Sequence, residues 1–546
     1  MQESSSRGGW RCSAAVAWAV GALWVAGCGS SDEPGGNPGL DGEEPPSSCT
    51  PVTCESQAKN CGALDDGCGN TVECGTCAAG QVCGTDASAN VCIIDPETVA
   101  GDWPMFRHDV SGTGRAPGIF TQAQARSLTL SWTSQTQGYA NANPVVVGDT
   151  VYIVSGAGWL NALNAQDGKR KWRQSIGVTP PQADDNDPAT PQPCWGYTFG
   201  PVGAPAVVGS RVYATGGDGK VYSFDKDSGE PGWATPLATA SKQEALWSSV
   251  FPLKDKLFIG ISTIGESNCG VISGRVEVLD QATGALSGTW FVDPELKRPG
   301  APIWTQPAYD PRNNRLYVST GNLEEGQVAT DIPLAQAVVA INPDTLATLD
   351  YYQPVPNPFP EDFDFGAAPS LFDTIDGRHL LAVANKNGYV YAFDRDNLAA
   401  GEVWNYRISD RGVSPDLGES TIVSAAFAKN TLFVGGGKTV DGRPGAVAAL
   451  DPATGTQKWI FYPKGYVLGS LTAAGDTVLV ASTDRPPNEV SYGPGTFYVL
   501  SQATGEVLFE YATPISLFAQ PTYANGSIYF GDVYGVVYAL RPRATL

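Results

Sequence analysis

Seven residues between positions 266 and 386 carry side chains that could act together in chemistry. They comprise four carboxylates, an amide, an amine and an indole: Glu266, Trp304, Asn322, Glu361, Asp362, Asp364 and Lys386. Carboxylate and amide oxygens are the ligands that Ca²⁺ prefers. A carboxylate can also act as a general base, while an indole and an ammonium group can hold a flat, oxygen-rich cofactor. These residue types predict a calcium and cofactor site, provided that the fold brings them together.

Each of these residues also has an ordinary structural explanation. Gly321-Asn322 and Lys386-Asn387-Gly388 are favoured turn sequences. Trp304 is one of 14 tryptophans, and an isolated Trp in a β protein is usually a packing residue. Glu266, considered alone, is expected to be a charged side chain in a solvent-exposed loop. Only their common placement in the fold distinguishes a site from a set of unrelated features.

A repeated phrase organises the chain from about residue 101 to the C-terminus. Copies include LNALNAQDGKRKW, VYSFDKDSGEPGW, VEVLDQATGALSGTW and VAALDPATGTQKW. In each copy a strand ends near Asp, a Gly-containing turn reverses the chain, and an outer strand begins. Two further strands precede each copy, as in NPVVV followed by TVYIVSG. Such internal repetition indicates stacked supersecondary units that bury their faces against one another.

The count of units predicts how the fold closes. Eight units occur, and the last one lacks its outer strand, whereas SLTLSWT at 127–133 is an outer strand without a unit of its own. Pairing these two ends would close a ring and remove the free sheet edges. The prediction is therefore an all-β, eight-bladed β-propeller over residues 101–546.

The same architecture predicts convergence of the candidate residues. In a four-stranded blade, the turn between the second and third strands lies on the same face as the crossing into the next blade. Glu266, Asn322 and Lys386 follow the second strands of units three, four and five. Trp304 lies where the chain enters unit four, and the carboxylates of PEDFDFGAAP lie where it enters unit five. All seven residues should therefore meet at one mouth of the channel.

The repeats and three segments resemble those of quinoprotein alcohol dehydrogenases, which bind pyrroloquinoline quinone (PQQ). GAPIWTQPAYDPRNNRLYVSTGN and KNGYVYAFDR match the family's segments, and PEDFDFGAAPSLF is similar to the polyvinyl-alcohol dehydrogenase type. The resemblance implies that Trp304 supports PQQ, that Lys386 contacts the quinone, and that Glu266 and Asn322 bind Ca²⁺. The His-Asp that carries the base in the classical dehydrogenases has no clean counterpart here, so Asp364, Asp362 or Glu361 could fill that role, and Asp364 is also a candidate metal ligand.

Departures from that family keep a second interpretation open. The vicinal Cys-Cys of many members is absent, and so is the Arg-Gly that usually follows the calcium Glu. The repeat is shared with propeller lipoproteins of outer-membrane assembly, so a non-catalytic scaffold or surface binding protein is the alternative. No Cys-x-x-Cys-His occurs, so haem is not expected, nor is NAD. If the chain is an enzyme, its electrons should pass to an external acceptor.

The N-terminus predicts export. Residues 1–28 contain Arg7 and Arg11, an apolar run and the lipobox-like ending Val25-Ala26-Gly27-Cys28, in which Cys28 would be acylated. A plain signal peptide or a short anchor is the alternative. The Gly, Pro and acidic residues of segment 29–48 predict a flexible linker. We expect an exported lipoprotein, anchored to the outer membrane through its lipid.

The cysteines predict a small disulfide module at 49–92. An exported chain with an even number of cysteines in a short segment favours disulfides over zinc. The module holds Cys49, Cys54, Cys61, Cys68, Cys74, Cys77, Cys83 and Cys92. Cys194 and Cys269 are expected to form a further disulfide or to remain two thiols.

Charge and composition exclude several other functions. The formal net charge of -22 argues against an electrostatic nucleic-acid binder. Only 2 His are present, which leaves histidine-based zinc catalysis and Ser-His-Asp triads poorly supplied.

Overall fold

The structure is a computed structural model that describes most of the chain after residue 48. The described residues are 49–77, 81–83, 90–94, 101–140, 142–179, 200–239, 244–263, 272–323, 327, 332–354, 363–412, 414–485 and 492–543. Within them, no helix is long and apolar enough to cross a membrane.

A cysteine-rich module comes first and is held by disulfides, as predicted. It has two short hairpins with the strands β1 (Ala63–Asp65), β2 (Thr71–Glu73), β3 (Gln81–Cys83) and β4 (Cys92–Ile94). Three bonds are Cys49–Cys68, Cys54–Cys74 and Cys61–Cys83, and Cys77 is also disulfide-bonded. Such cross-links replace the apolar core that so short a segment cannot build.

The remaining strands form eight four-stranded antiparallel blades arranged as a ring, as the repeat predicted. A short strand, β5 (Arg115–Ala116), a helix, α1 (Gln122–Arg126), and a long strand, β6 (Leu128–Gln135), precede the first blade. Blades 1 and 2 contain β7 (Val145–Val147), β8 (Thr150–Ser155), β9 (Trp159–Asn164), β10 (Arg170–Ser175), β11 (Ala206–Val208), β12 (Arg211–Thr215), β13 (Lys220–Asp225) and β14 (Pro231–Pro236).

Blades 3 to 5 follow the same plan, with one extra short strand in blade 3. They contain β15 (Glu244–Ala245), β16 (Phe251–Leu253), β17 (Lys256–Thr263), β18 (Arg275–Asp280), β19 (Leu286–Phe291), β20 (Ala308–Asp310), β21 (Arg315–Ser319), β22 (Val338–Ile341), β23 (Thr348–Tyr352), β24 (Ser370–Asp373), β25 (His379–Ala384), β26 (Tyr389–Asp394) and β27 (Glu402–Arg407). Two 3₁₀ turns, Leu398–Ala400 and Pro415–Leu417, lie on either side of β27.

Blades 6 to 8 complete the ring. Their strands are β28 (Ala426–Ala428), β29 (Thr431–Gly436), β30 (Ala446–Leu450), β31 (Gln457–Phe461), β32 (Thr472–Ala474), β33 (Thr477–Thr483), β34 (Gly495–Ser501), β35 (Val507–Thr513), β36 (Thr522–Ala524), β37 (Ser527–Gly531) and β38 (Val536–Pro542). The outer strand of blade 8 is β6, which pairs with β38 from Gln135 opposite Val536 to Leu128 opposite Pro542. This confirms the predicted closure, and closure removes two free sheet edges.

Neighbouring blades are joined by a recurrent contact between a tryptophan and a glycine. In blade 8, the Trp132 indole packs on Gly168 of blade 1, and its Nε1 donates a hydrogen bond to the Ala165 carbonyl at 3.0 Å. The same pair recurs at Trp172 and Gly229, Trp233 and Gly284, Trp404 and Gly455, and Trp459 and Gly505. The turn of the repeated phrase therefore has two functions, since it reverses the chain and receives the tryptophan of the preceding blade.

A belt, defined as residues 103–116, runs around the channel along the inner edges of the innermost strands. Trp103 pairs with Val146 in blade 1, and Pro104 accepts a hydrogen bond from Val207 in blade 2. Further along, backbone bonds join the belt to blades 4, 5 and 6, and β5 pairs with β32 of blade 7 in parallel. Innermost strands have one edge without a sheet neighbour, so these bonds satisfy polar groups that would otherwise remain unpaired.

One buried cation fixes the belt. Arg107 is fully buried, and its guanidinium donates to the carbonyls of Leu471 at 2.8 Å and of Ala425. Burial lowers the pKa of Arg107 to about 9, and the charge of Asp109 partly opposes this effect. Gly114 allows the arrangement, because a Cβ there would lie 2.2 Å from the guanidinium.

Candidate functional site

Trp304, Asp364 and Lys386 lie together at one face of the propeller. Trp304 precedes β20 of blade 4, Asp364 precedes β24 of blade 5, and Lys386 lies in the turn between β25 and β26. Innermost strands start at this face, and second strands end there. The topology therefore brings three residues up to 82 positions apart to one place, as the convergence argument predicted.

Lys386 and Asp364 form a buried ion pair. Lys386 Nζ lies 2.8 Å from Asp364 Oδ2, and the two side chains are 9% and 6% exposed. The backbone N–H of Lys386 also donates to the Asp364 carbonyl at 3.0 Å. Next to it, Asn385 Nδ2 donates to the Phe363 carbonyl at 2.8 Å. Two charges are removed from water here, a cost that close pairing and backbone bonds must offset.

The indole of Trp304 lies beside this ion pair. Lys386 Nζ is 5.5 Å from the centre of the Trp304 ring, within the range of a cation–π contact. Gly366 makes room for the indole, since a Cβ at that position would lie 2.8 Å from Trp304 Cη2 and 2.4 Å from Ile422. The Asp-Phe-Gly sequence thus supplies both the carboxylate and the space for the ring.

Gly321, which precedes Asn322, is in contact with Asp364. A Cβ on Gly321 would be 3.0 Å from Asp364 Oδ1, so these two segments are in contact. The Asn322 side chain is oriented by Gln336, whose Nε2 donates to Asn322 Oδ1 at 3.2 Å. The Asn322 carbonyl accepts a hydrogen bond from the Ala301 N–H at 2.5 Å. Its amide oxygen is therefore oriented by a hydrogen bond, in the residue that follows the contact between Gly321 and Asp364.

A cavity of about 170 Å³ lies on the propeller axis and is bordered by Trp304. In blades 2 to 8, the extended segment that leads into each innermost strand contributes residues two positions apart, because side chains with that spacing share a face. The lower tier carries the polar residues Asn143, Ser249, Gln306, Ser424, Ser470 and Gln520. The upper tier, nearer the site, carries Val202, Trp247, Trp304, Ile422, Leu468 and Phe518. The cavity is therefore apolar and aromatic at the level of the candidate site.

Several predicted residues lie outside the described residues. They are Cys28, Cys194, Glu266, Cys269, Glu361 and Asp362, together with the side chain of Cys92. Their proposed roles remain predictions. Within the described part of the chain, no group of three or more His, Cys, Asp or Glu could hold a metal ion.

Sequence reasoning missed the residues that support this site. Gly366, Gln336 and Asn385 carry no chemical signature of their own. The polar tier of the cavity could have been found from the sequence, because Asn143, Gln306 and Gln520 each precede a proline that leads into an innermost strand. Arg107 gave no signal, since nothing in a sequence marks a cation that will be buried against backbone carbonyls of distant blades.

Comparison with known protein families supports the propeller fold. The family described as "Glucose/ethanol/alcohol dehydrogenase, beta-propeller domain" matches residues 103–399, more than half of the 546 residues. The chain belongs to this family. A second description, "Outer membrane protein assembly factor BamB", matches residues 386–544. Trp304 and Asp364 lie in the dehydrogenase match, and Lys386 lies in both.

Two polyvinylalcohol dehydrogenases are among the relatives of this chain. A polyvinylalcohol dehydrogenase of Pseudomonas sp is 25% identical over 77% of this chain and 70% of its own length. Another, from Sphingopyxis sp. (strain 113P3), is 27% identical over 62% of this chain and 55% of its own. Among solved structures, a europium-containing methanol dehydrogenase superposes with a TM-score of 0.64 at 18% identity, covering 82% of this chain and 99% of that one. At that identity the superposition shows the fold alone, and the fold is the eight-bladed propeller that the repeats predicted.

Proposed function

We propose that this protein is an exported, lipid-anchored alcohol dehydrogenase that uses PQQ and Ca²⁺. The observation that carries the proposal is the buried Lys386–Asp364 pair beside the Trp304 indole. A buried ion pair often contributes little net stability, because desolvation offsets the attraction between the charges, and perturbed ionisable groups are concentrated at active sites. The family match and the polyvinylalcohol dehydrogenase relatives support the same assignment.

The described residues fit a flat, anionic quinone. Trp304 offers an aromatic face in an otherwise apolar tier, and Gly366 keeps that face clear. Lys386 supplies a positive charge 5.5 Å from the centre of the ring, where it can neutralise quinone oxygens. When bound, PQQ would accept the two electrons that leave the alcohol carbon as hydride.

Asp364 is the residue we assign as the base. Its carboxylate is held by Lys386 at 2.8 Å and is buried, so bulk water does not compete for it. It would take the proton of the alcohol hydroxyl, while the C–H bond supplies the hydride, so that the alcohol becomes a carbonyl compound. Lys386 would then hold the position of the carboxylate through the step. Asp362 and Glu361 remain the alternative bases.

Calcium would be held by Glu266, Asn322 and Asp364. The Asn322 amide oxygen is already oriented by Gln336 close to the Asp364 segment. Oxygen ligands of this mixed kind suit Ca²⁺. Electrons would leave to an external acceptor, and Cys28 would attach the protein to the outer membrane.

The deciding experiment is cofactor loading of the purified chain. PQQ and Ca²⁺ are added, unbound cofactor is removed, and retained PQQ is measured by absorbance, followed by alcohol-dependent dye reduction. Failure to retain PQQ would rule out the dehydrogenase. Removal of Ca²⁺ by a chelator, Glu266→Ala and Asn322→Ala should each weaken loading, whereas Asn405→Ala on the outer strand of blade 5 should not. Unchanged loading in a variant would remove that residue from the site.

A second candidate is a non-catalytic propeller scaffold. It is favoured by the match of residues 386–544 to the outer-membrane assembly factor. This candidate predicts neither PQQ retention nor any effect of Trp304→Ala beyond stability. Retention without turnover would instead indicate a site that has kept its cofactor and lost its reaction.

A further inference from the structure

Three aromatic side chains on blades 7 and 8 form a cluster that the reaction above does not use. This aromatic patch consists of Tyr492, Phe518 and Tyr534. The ring centres of Tyr492 and Phe518 are 6.1 Å apart, and those of Tyr492 and Tyr534 are also 6.1 Å apart. Both pairs are edge-to-face, a favourable arrangement of aromatic rings. Tyr492 and Tyr534 are 49% and 56% exposed, so the patch is available to a ligand.

The patch lies on the same face as the candidate site. Tyr534 is in the turn between β37 and β38, which corresponds in blade 8 to the β25–β26 turn that carries Lys386. Phe518 stands two residues before Gln520-Pro521, just as Trp304 stands two residues before Gln306-Pro307. Phe518 and Trp304 both border the axial cavity, one from blade 8 and one from blade 4. Through Phe518 and Trp304, the patch and the site therefore border the same axial cavity from opposite sides of the ring.

One member of the patch, Tyr492, lies against a buried and hydrogen-bonded guanidinium. The Arg485 guanidinium lies 5.6 Å from the Tyr492 ring centre and 5.7 Å from that of Tyr466. Arg485 Nε donates to the Tyr466 hydroxyl at 2.8 Å, and the same guanidinium donates to the Asp416 carbonyl. Tyr466 and Arg485 are both buried. Because these supports are already fixed, a ligand would lose little free energy in ordering the surface that it contacts.

The chemistry of the patch suits a long, uncharged chain that bears hydroxyl groups. Tyrosine rings offer apolar faces to carbon chains, and their phenols exchange hydrogen bonds with hydroxyls. The Arg485 guanidinium is engaged by Tyr466 and Asp416, and the protein's net charge of -22 repels polyanions. A short alcohol would fill only the site, whereas a long one must continue across the mouth.

We infer that the aromatic patch binds the non-reacting part of a long, neutral, polyhydroxylated substrate while one of its alcohols lies beside Asp364. This inference rests on the proposed function and specifies its substrate class. Binding by remote parts of a substrate can also serve to position the reacting group.

Binding and turnover test the inference separately. The first readout is calorimetric binding of poly(vinyl alcohol), used as the probe, to the purified chain without PQQ. The double variant Tyr492→Ala/Tyr534→Ala should bind at least 10-fold more weakly, a loss of about 1.4 kcal/mol. The control is Tyr351→Ala, which removes a tyrosine of 40% exposure from the outer strand of blade 4 and should leave binding unchanged. Tyr492→Phe keeps the ring and should retain most of the affinity.

The second readout is alcohol oxidation by the enzyme loaded with PQQ and Ca²⁺. The double variant should raise KM at least 10-fold for the polymer and change kcat/KM for 2-propanol by less than twofold. An equal loss for both alcohols, unaltered polymer binding, or no polymer binding by the unmodified chain would each overturn the inference. Polymer binding that depends on the patch in a protein without turnover would uphold the patch and reject the dehydrogenase. Thermal unfolding checks that the variants are folded.

Discussion

Lys386 Nζ lies 2.8 Å from Asp364 Oδ2, and the pair is almost completely buried beside an indole. The two residues are 22 positions apart, and they lie in two different segments of the same blade. Asp364 precedes the innermost strand, whereas Lys386 follows the second strand. The pair therefore exists only because the start of one strand and the end of the next meet at one face.

Replacement of Lys386 by methionine should be the most damaging single change at the site. It would leave the Asp364 carboxylate buried without its cation, which costs about 3–5 kcal/mol of stability in comparable pairs. Activity of the loaded enzyme should fall by at least ~100-fold, since a preorganised charge is lost. Stopped-flow dye reduction and thermal unfolding would measure the two effects.

Two further variants serve as controls for Lys386→Met. Lys386→Arg keeps the charge and should recover much of the stability. Lys169→Met removes an amine that is 84% exposed and paired at the surface with Asp167, so activity should stay within twofold. Equal activity in the Lys386→Met protein and the parent would contradict a role for the pair in the reaction.

Gly366→Ala should displace the Trp304 indole. The new methyl would lie 2.8 Å from Trp304 Cη2 and 2.4 Å from Ile422 Cγ2, so the indole and Ile422, or the backbone at residue 366, must move. We expect a shifted tryptophan fluorescence spectrum and at least ~10-fold weaker PQQ retention, because a displacement of about 1 Å in a positioning group can be that costly. Gly435→Ala on blade 6 is the control, since its Cβ would meet its nearest atom at 3.3 Å. Normal PQQ retention by Gly366→Ala would show that the indole does not support the cofactor.

The contact between blades can be tested with a matched pair of glycines. Gly284 and Gly209 both have positive φ, at 72° and 57°. A Cβ at Gly284 would lie 2.4 Å from the Trp233 ring, whereas a Cβ at Gly209 would point into open space. Alanine at Gly209 should cost about 1 kcal/mol from backbone strain alone. Alanine at Gly284 should cost a further ~1–3 kcal/mol from overpacking. Denaturant unfolding would give both values, and equal losses would argue against the packing role.

The belt should contribute an acid-sensitive part of the stability. Burial acts to raise the pKa of Asp109, but hydrogen bonds and charge from His108, with two bonds from Thr113, outweigh it and lower the pKa below 3.8. Stability from this carboxylate is therefore present above its ordinary pKa and is lost as the pH falls through the lower, folded value. Asp109→Asn should destabilise the protein by about 2 kcal/mol at pH 7, as expected for hydrogen bonds to a charged group.

The pH profile of that variant is the informative measurement. The difference in unfolding temperature between Asp109→Asn and the parent should stay nearly constant from about pH 7 to about pH 4 and should shrink as the pH falls further, through the lowered pKa of Asp109. A difference that also stays constant below about pH 4 would mean that the ionised carboxylate does not hold the belt.

The sequence by itself determined the propeller, its closure and the face on which the site lies. Strands and turns depend on contiguous residues, since alternating burial and Gly/Asp turns are local properties. For that reason the missing outer strand of the last unit identified β6 as its replacement, and the positions of Trp304, Asn322 and Lys386 at strand ends predicted one common mouth.

Only the tertiary structure decided how these residues meet. The distance from Lys386 to Asp364, the space that Gly366 leaves for Trp304 and the burial of Arg107 depend on how separate strands and blades pack. Packing is set by contacts between residues that are far apart in the chain, and no local pattern records it. The repeated Gly-containing turn shows the difference most clearly. Its residues predict a reversal of the chain, whereas its contact with the tryptophan of the preceding blade exists only in the assembled ring.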